Sequence, residues 1–155
     1  MHKFWNTWDS GSVHTSMSAR KIFWNLGKDG EGGEVVVQYT TWHMKSVMEV
    51  RSILAHRYPL YFLEQHIVGE TRDYMYVHMP YVDVYEDYFD LYRHVDIKPH
   101  DVAAWEKRAE QCIEEVLETY SCPAHLTLYA DVVPRNYGWY HDRLICFDPV
   151  FVGAS

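Results

Sequence analysis

The segment from Lys98 to Tyr120, KPHDVAAWEKRAEQCIEEVLETY, constrains the fold more than any other part of the chain. Val102, Trp105, Ala109, Cys112, Ile113, Val116, Leu117 and Tyr120 recur on one side of a 3.6-residue period, and Glu, Lys and Arg fill the other. Pro99 stands at the start, where its missing N–H costs a helix nothing. The spacing predicts one long amphipathic helix. Such a helix is held chiefly by the packing of its apolar face, so the remaining chain has to present a surface to it.

Upstream, the pattern is strand-like. KFWNTWDSGSVHTSMSARKIFWN carries apolar runs on either side of a small-residue stretch, LGKDGEGGE has turn chemistry, and EVVVQYTTW is β-branched and aromatic. From Met44 the period changes: Met44, Val47, Met48, Ile53 and Leu54 predict a helix that Pro59 closes. YFLEQHIVGE and DYMYVHMPYV then read as two strands about the turn ETRD. The first half thus predicts a five-stranded antiparallel sheet with one helix, in the order strand, strand, strand, helix, strand, strand. Beyond it, DVYEDYFDLYRH reads as a short helix, AHLTLYADV as an apolar run, and YGWYHDRLICFDPVF as a hairpin turning at His141-Asp142. The fold class is α+β, one domain over 1–155, strand-rich in 1–82 and helical in 83–155.

The chain has 155 residues, enough for one real core, and an aromatic content of 16% that favours folding and also suits binding surfaces. A net charge of −8 argues against broad nucleic-acid binding, which needs a basic footprint. Cys112, Cys122 and Cys146 are odd in number and follow no repeated spacing, as expected of a reduced compartment. Cys122-Pro-Ala-His125 has a metal-ligand spacing but no second pair to complete a zinc site. No apolar signal core or bilayer-length run is present, so no membrane association and a cytoplasmic location are the expectations.

The residues that carry chemistry lie in YADVVPRNYGWYHDRLICFDPVF. Asp131 is followed by Asn136 with Pro134 between them, and the hairpin then returns Asp148 toward both. Two readings compete: turn formers on a surface, or the oxygen-rich end of a phosphate-handling site. In the second, Asp131 orients an attacking hydroxyl, while Asn136 and Asp148 supply oxygens to Mg²⁺. Gly27, Gly30, Gly32 and Gly33 fit a hairpin connection better than a phosphate loop, since neither a following helix nor a G-K-[ST] ending is present.

Asp131, Pro134 and Asn136 resemble the catalytic loop of the protein-kinase-like superfamily, with Tyr129 and Ala130 in place of its usual His and Arg. Asp148-Pro149-Val150 stands where kinases carry D-F-G, and this ending is similar to that of the early serine/threonine kinases of short-tailed coliphages. The resemblance implies a minimal two-lobed fold whose first lobe is 1–82, with Asp131, Asn136 and Asp148 catalytic and the last two on Mg²⁺. It also implies an ATP site. Gly11, Ser12 and Thr15 would cover the phosphates, Gln38 would take the place of the nucleotide lysine, and Glu49 that of its glutamate partner. Met79 and Tyr81 would meet adenine, and His14 and His78 would lie nearest the cleft.

Two departures accompany it. Gln38 cannot supply the usual cation, leaving Lys21 on the preceding strand as the substitute, and Glu49 has an ordinary helix partner in Lys45. Seven residues follow Asp148, too few for an activation segment or a peptide platform, so a reduced form is expected. The implied function is Mg-ATP-dependent phosphoryl transfer to Ser or Thr of host proteins, as in phage host takeover. The alternative is an inactive pseudokinase that binds a host enzyme or defence factor through the acidic, aromatic surface at Asp83, Glu86, Asp87 and Asp90. A half-buried helix with a solvated face is the plainer account of that surface. Oligomeric state is left open.

Overall fold

The computed structural model describes residues 13–14, 20–25, 34–41, 43–123 and 126–154, with backbone alone for 13–14, 20–25 and 154. Gly11, Ser12, Thr15 and the glycines at 27, 30, 32 and 33 lie outside them.

β-branched and aromatic residues in alternation build the first sheet. Its strands are β1 (Val13–His14), β2 (Arg20–Asn25), β3 (Glu34–Thr40), β4 (His66–Glu70) and β5 (Tyr74–Pro80), in the spatial order β1-β2-β3-β5-β4. Each neighbouring pair is antiparallel. Val35, Val37 and Tyr39 of β3 and Met75, Val77 and Met79 of β5 alternate onto one face and are buried there. The intervening residues, Gln38 and Tyr76 among them, take the other face.

Helix α1 (Met44–Arg57) follows β3, begins after His43 in a left-handed conformation, and adds Met44, Val47, Met48, Val50 and Leu54 to the same core. After it, residues 61–63 run alongside the later hairpin: Cys146 N–H donates to the Tyr61 carbonyl at 2.8 Å, and Leu63 N–H donates to that of Cys146 at 2.9 Å. This strap ties the two halves of the chain together.

Residues 83–154 hold two helices and two small antiparallel sheets, more strand than the helical half expected from sequence. Strands β6 (Asp83–Val84), β8 (Tyr137–Tyr140) and β9 (Arg143–Cys146) form one sheet, and β7 (Leu126–Ala130) with β10 (Val150–Ala154) forms the other. The difference arises because Val150–Ala154 and Leu126–Ala130 complete each other as strands, a long-range pairing that local periodicity does not show. The β8–β9 turn is at His141 and Asp142, both at positive φ (48° and 61°), the geometry of a tight two-residue hairpin.

Helix α2 (Tyr88–His94) is capped reciprocally: the Asp87 carboxylate accepts from Asp90 N–H at 2.8 Å, and Asp90 accepts from Glu86 N–H at 3.1 Å. Helix α3 (Pro99–Thr119) buries Val102, Ala109, Cys112, Ile113 and Val116, and each of the larger of these contributes about 1.5–3 kcal/mol by leaving water. It packs on α1 and β7. From its side, Glu106 accepts hydroxyl bonds from Tyr88 (2.7 Å) and Tyr137 (2.6 Å), while Trp105 meets the Tyr137 ring edge-on at 4.8 Å. Burial first, then Glu106, pushes the Tyr88 phenol up to about 12 and the Tyr137 phenol further still. Among the described residues no helix is long and apolar enough to cross a membrane.

Gly138 in β8 faces the backbone of β6 so closely that an added Cβ would press on the Asp83 carbonyl and stand 2.6 Å from Val82 Cγ1. Because the obstacle is backbone, Gly138→Ala should lower stability by about 1–3 kcal/mol, read as a lower urea midpoint at unchanged slope.

Candidate functional site

β7 ends at Ala130 and β10 begins at Val150, and these two residues face each other in the ladder. Everything between them is therefore a closed loop that must return to its starting point. Asp131 N–H donates to the Pro149 carbonyl at 2.9 Å, which seals the neck. Val133 is extended, as the residue before a proline prefers, and Pro134–Asn136 make a single 3₁₀ turn with Pro134 first.

That turn points the Asn136 carbonyl at the exit of the hairpin, where it accepts from Phe147 N–H (3.0 Å), Asp148 N–H (3.1 Å) and Cys146 Sγ (3.4 Å). Its side-chain amide donates to both the carbonyl and the carboxylate of Asp131, each at 2.9 Å. The structure thus brings Asp131, Asn136 and Asp148 into one cluster. Burial raises the Asp131 carboxyl above the usual range; the Asn136 bond opposes this, the nearby Asp148 charge adds to it, and Arg135 opposes it. Burial also pushes the Cys146 thiol far up, which leaves it inert as a nucleophile.

The cluster has a fourth member that sequence reasoning missed. Arg51, on the third turn of α1, places a guanidinium nitrogen 2.7 Å from Asp148 Oδ1. It is 3% exposed, and Asp148 is 20% exposed. The other terminal nitrogen donates to Gln65 Oε1 at 2.9 Å and to the Tyr39 hydroxyl at 3.3 Å, and the guanidinium lies 5.1 Å from the centre of the Tyr39 ring. Gln65 in turn donates to the Phe147 carbonyl at 2.6 Å. Burial alone would lower the Arg51 pKa, but Tyr39 and Asp148 outweigh it and raise it, so the group is a permanent cation.

A signal for Arg51 does exist in the sequence. Met44, Val47, Met48 and Leu54 form an i, i+3, i+4 stripe whose missing member is position 51, so a charge sits within an apolar face. Among the described residues the buried polar or charged side chains are Ser46, Arg51 and Asn136, and two of these three are in the cluster.

The other expected site residues are elsewhere. Gln38 donates to the Tyr76 hydroxyl at 2.8 Å on the face of the sheet opposite the core; its neighbour Tyr39 is the β3 residue that reaches Arg51. Lys21 is the cross-strand partner of Gln38 in the β2–β3 ladder. Glu49 is exposed on α1 and accepts from the Tyr120 hydroxyl at 3.0 Å, so it joins α1 to the end of α3. Met79 is fully buried in the sheet core, Tyr81 follows β5 half-buried, and the ring of His78 bonds Glu34 at 3.0 Å. No protein-family model matches the chain, and no curated protein matches it.

If the cluster is one electrostatic unit, Arg51→Met should destabilise by about 3–5 kcal/mol, because it strands the Asp148 charge. The double change Arg51→Met with Asp148→Leu should recover most of that loss. A double-mutant cycle from denaturant titrations checks this, and a coupling under about 0.5 kcal/mol would mean that the two residues act independently.

Proposed function

We propose that the chain is a kinase-like protein whose catalytic constellation has become a structural network, and that it acts by binding a partner protein and not by phosphoryl transfer. The order of elements supports the kinase-like, two-lobed reading: a sheet with one helix after β3, a long helix before β7, a loop carrying Asp131 and Asn136, and a hairpin ending in Asp148-Pro149-Val150. The observation that carries the loss of catalysis is the Arg51–Asp148 pair. Phosphoryl transfer needs Mg²⁺ on that carboxylate, and here a guanidinium already stands on it. A divalent ion about 4 Å from Arg51 would be repelled by on the order of 8 kcal/mol at an effective dielectric of about 20, which offsets a large part of its attraction to the carboxylate. Gln38, turned to the opposite face, brings no cation to the phosphates either. The residues as arranged do not fit Mg-ATP.

The competing reading, an active Mg-ATP-dependent Ser/Thr kinase, draws on the convergence of Asp131, Asn136 and Asp148 and requires Arg51 to leave. The two readings part on one measurement. Wild-type protein with Mg-ATP should show neither transfer of labelled phosphate nor a rise in melting temperature. A ligand at a hundred times its dissociation constant would add about 2.7 kcal/mol, and a shift of that size that disappears in Asp148→Ala would restore the kinase reading.

For the binding surface, the loop before α2 and its first turn narrow the acidic, aromatic stretch to a few side chains. Asp87 and Asp90 are engaged as caps, and Asp90 also pairs with His94 at 3.2 Å. Phe89 is 70% exposed, the most exposed of the large apolar side chains among the described residues, and the exposed Glu86 precedes it by three positions. An aromatic anchor beside acid, on a chain of net charge −8, suits a partner with a basic, apolar recess. In the phage setting that the resemblance suggests, this partner is a host protein. Phe89→Ala and Glu86→Lys leave the helix caps intact and should each abolish capture of the partner from the host; unchanged capture by both would remove this surface from the proposal.

A further inference from the structure

We infer that the outer edge of β4 is a self-association site, which pairs antiparallel with β4 of a second copy of this chain and so joins two sheets into one. The inference does not depend on the kinase-like reading.

β4 ends the first sheet, with β5 on one side and no described strand on the other. Strands β3 and β5 bury every second residue, as strands over a core do. β4 buries none: His66, Ile67, Val68 and Glu70 are all exposed, and Gly69 is half-buried. Its ladder with β5 slips by one between Ile67 and Gly69, which makes Val68 an extra residue. Two aliphatic side chains thus stand together at the edge, Ile67 at 47% and Val68 at 58% exposure. An open edge of unpaired main-chain groups with an apolar centre is a template for a further strand.

The charges beyond its two ends choose the occupant. Glu64 precedes the strand and Arg72 follows it, and both are exposed. Glu64 has the imidazole of exposed His66 at 3.4 Å, and among the described residues Arg72 makes no ion pair. Antiparallel pairing brings the start of one strand beside the end of the other. A second copy therefore sets its Arg72 by Glu64, and two-fold symmetry makes that contact twice. A parallel copy would set Glu64 on Glu64 and Arg72 on Arg72. Glu64 also lines, with Ser52, His56 and Pro59, a recess of about 400 Å³ beside the last turns of α1. Its polar walls suit an incoming arginine, with the Glu64 carboxylate there to accept from the guanidinium. An edge this short buries little area, which puts the dimer among weak assemblies, with a dissociation constant on the order of 10–100 µM.

Sedimentation velocity of the whole chain, over concentrations that bracket this value, tests the inference. Wild type should pass from monomer to dimer. Val68→Lys, which places two like charges at the centre of the pairing, should stay monomeric with unchanged far-ultraviolet dichroism. Glu64→Arg and Arg72→Glu each oppose like charges in a homodimer, and each should weaken self-association tenfold or more. Mixed in equal amounts, these two variants complement each other at both ends, and the mixture should associate as wild type does.

Wild type that stays monomeric throughout overturns the inference and leaves the edge to a strand of another protein. A dimer that both charge reversals leave intact lies on another surface, which overturns it equally. So does a mixture of the two reversals that remains monomeric.

Discussion

A single guanidinium organises this molecule. Arg51 is delivered by the first helix into a place where the central strand, the strap after that helix and the exit of the last hairpin all meet it. An ion pair this buried adds little net stability, because stripping water from both charges costs about what their attraction returns. What it supplies is position. An apolar side chain at 51 would pack against many neighbours at many angles, whereas a forked cation with three directed partners accepts one arrangement of α1 against the hairpin. The same contact satisfies Asp148, which would otherwise be a half-buried carboxylate beside a second one.

Much of this was legible from residue patterns, and the failures have physical reasons. Long α3 and the tight turn at His141-Asp142 follow from local rules of period and turn chemistry, and they are found where those rules place them. The gathering of Asp131, Asn136 and Asp148 was also readable, since a short loop and a hairpin return the chain almost to its origin. Gln38 lies away from the cluster because side-chain direction in a strand changes with every residue, and Glu49 because it is two residues from Arg51 on α1 and so on another face. One step along β3 exchanges the outer face for the core, and Tyr39 is that step. Arg51 escaped notice because its sequence neighbours mark it only as a defect in an apolar stripe; its meaning comes from a residue ninety-seven positions away. Strand β10 was missed for the same reason, its partner being remote.

The second half of the chain solves a different problem with the same economy of polar groups. Its core is rich in tyrosine, and each buried phenol has to find an acceptor. Glu106 serves the buried Tyr137 and the exposed Tyr88 at once and thereby fastens α2, α3 and β8 to one another. The arrangement leaves Phe89 as the outward apolar group on a helix whose neighbouring acids are engaged in capping it. A surface with one exposed anchor, beside the Arg93 guanidinium at 5.6 Å, and few adaptable charges suits recognition of a particular recess more than promiscuous adhesion.

The neck between β7 and β10 has a mechanical consequence. With Asp131 bonded to Pro149 and Ala130 laddered to Val150, the backbone just after Asp148 is zipped into a ribbon, and the amides of Phe147 and Asp148 hold the other side to Asn136. The main chain at Asp148 cannot move outward without unpeeling that ribbon from its root. The arginine meets it from the other side, on a helix that packs against α3 and β10. The pair therefore rivets two braced parts of the chain, and its geometry is set by backbone on one side and by a packed helix on the other.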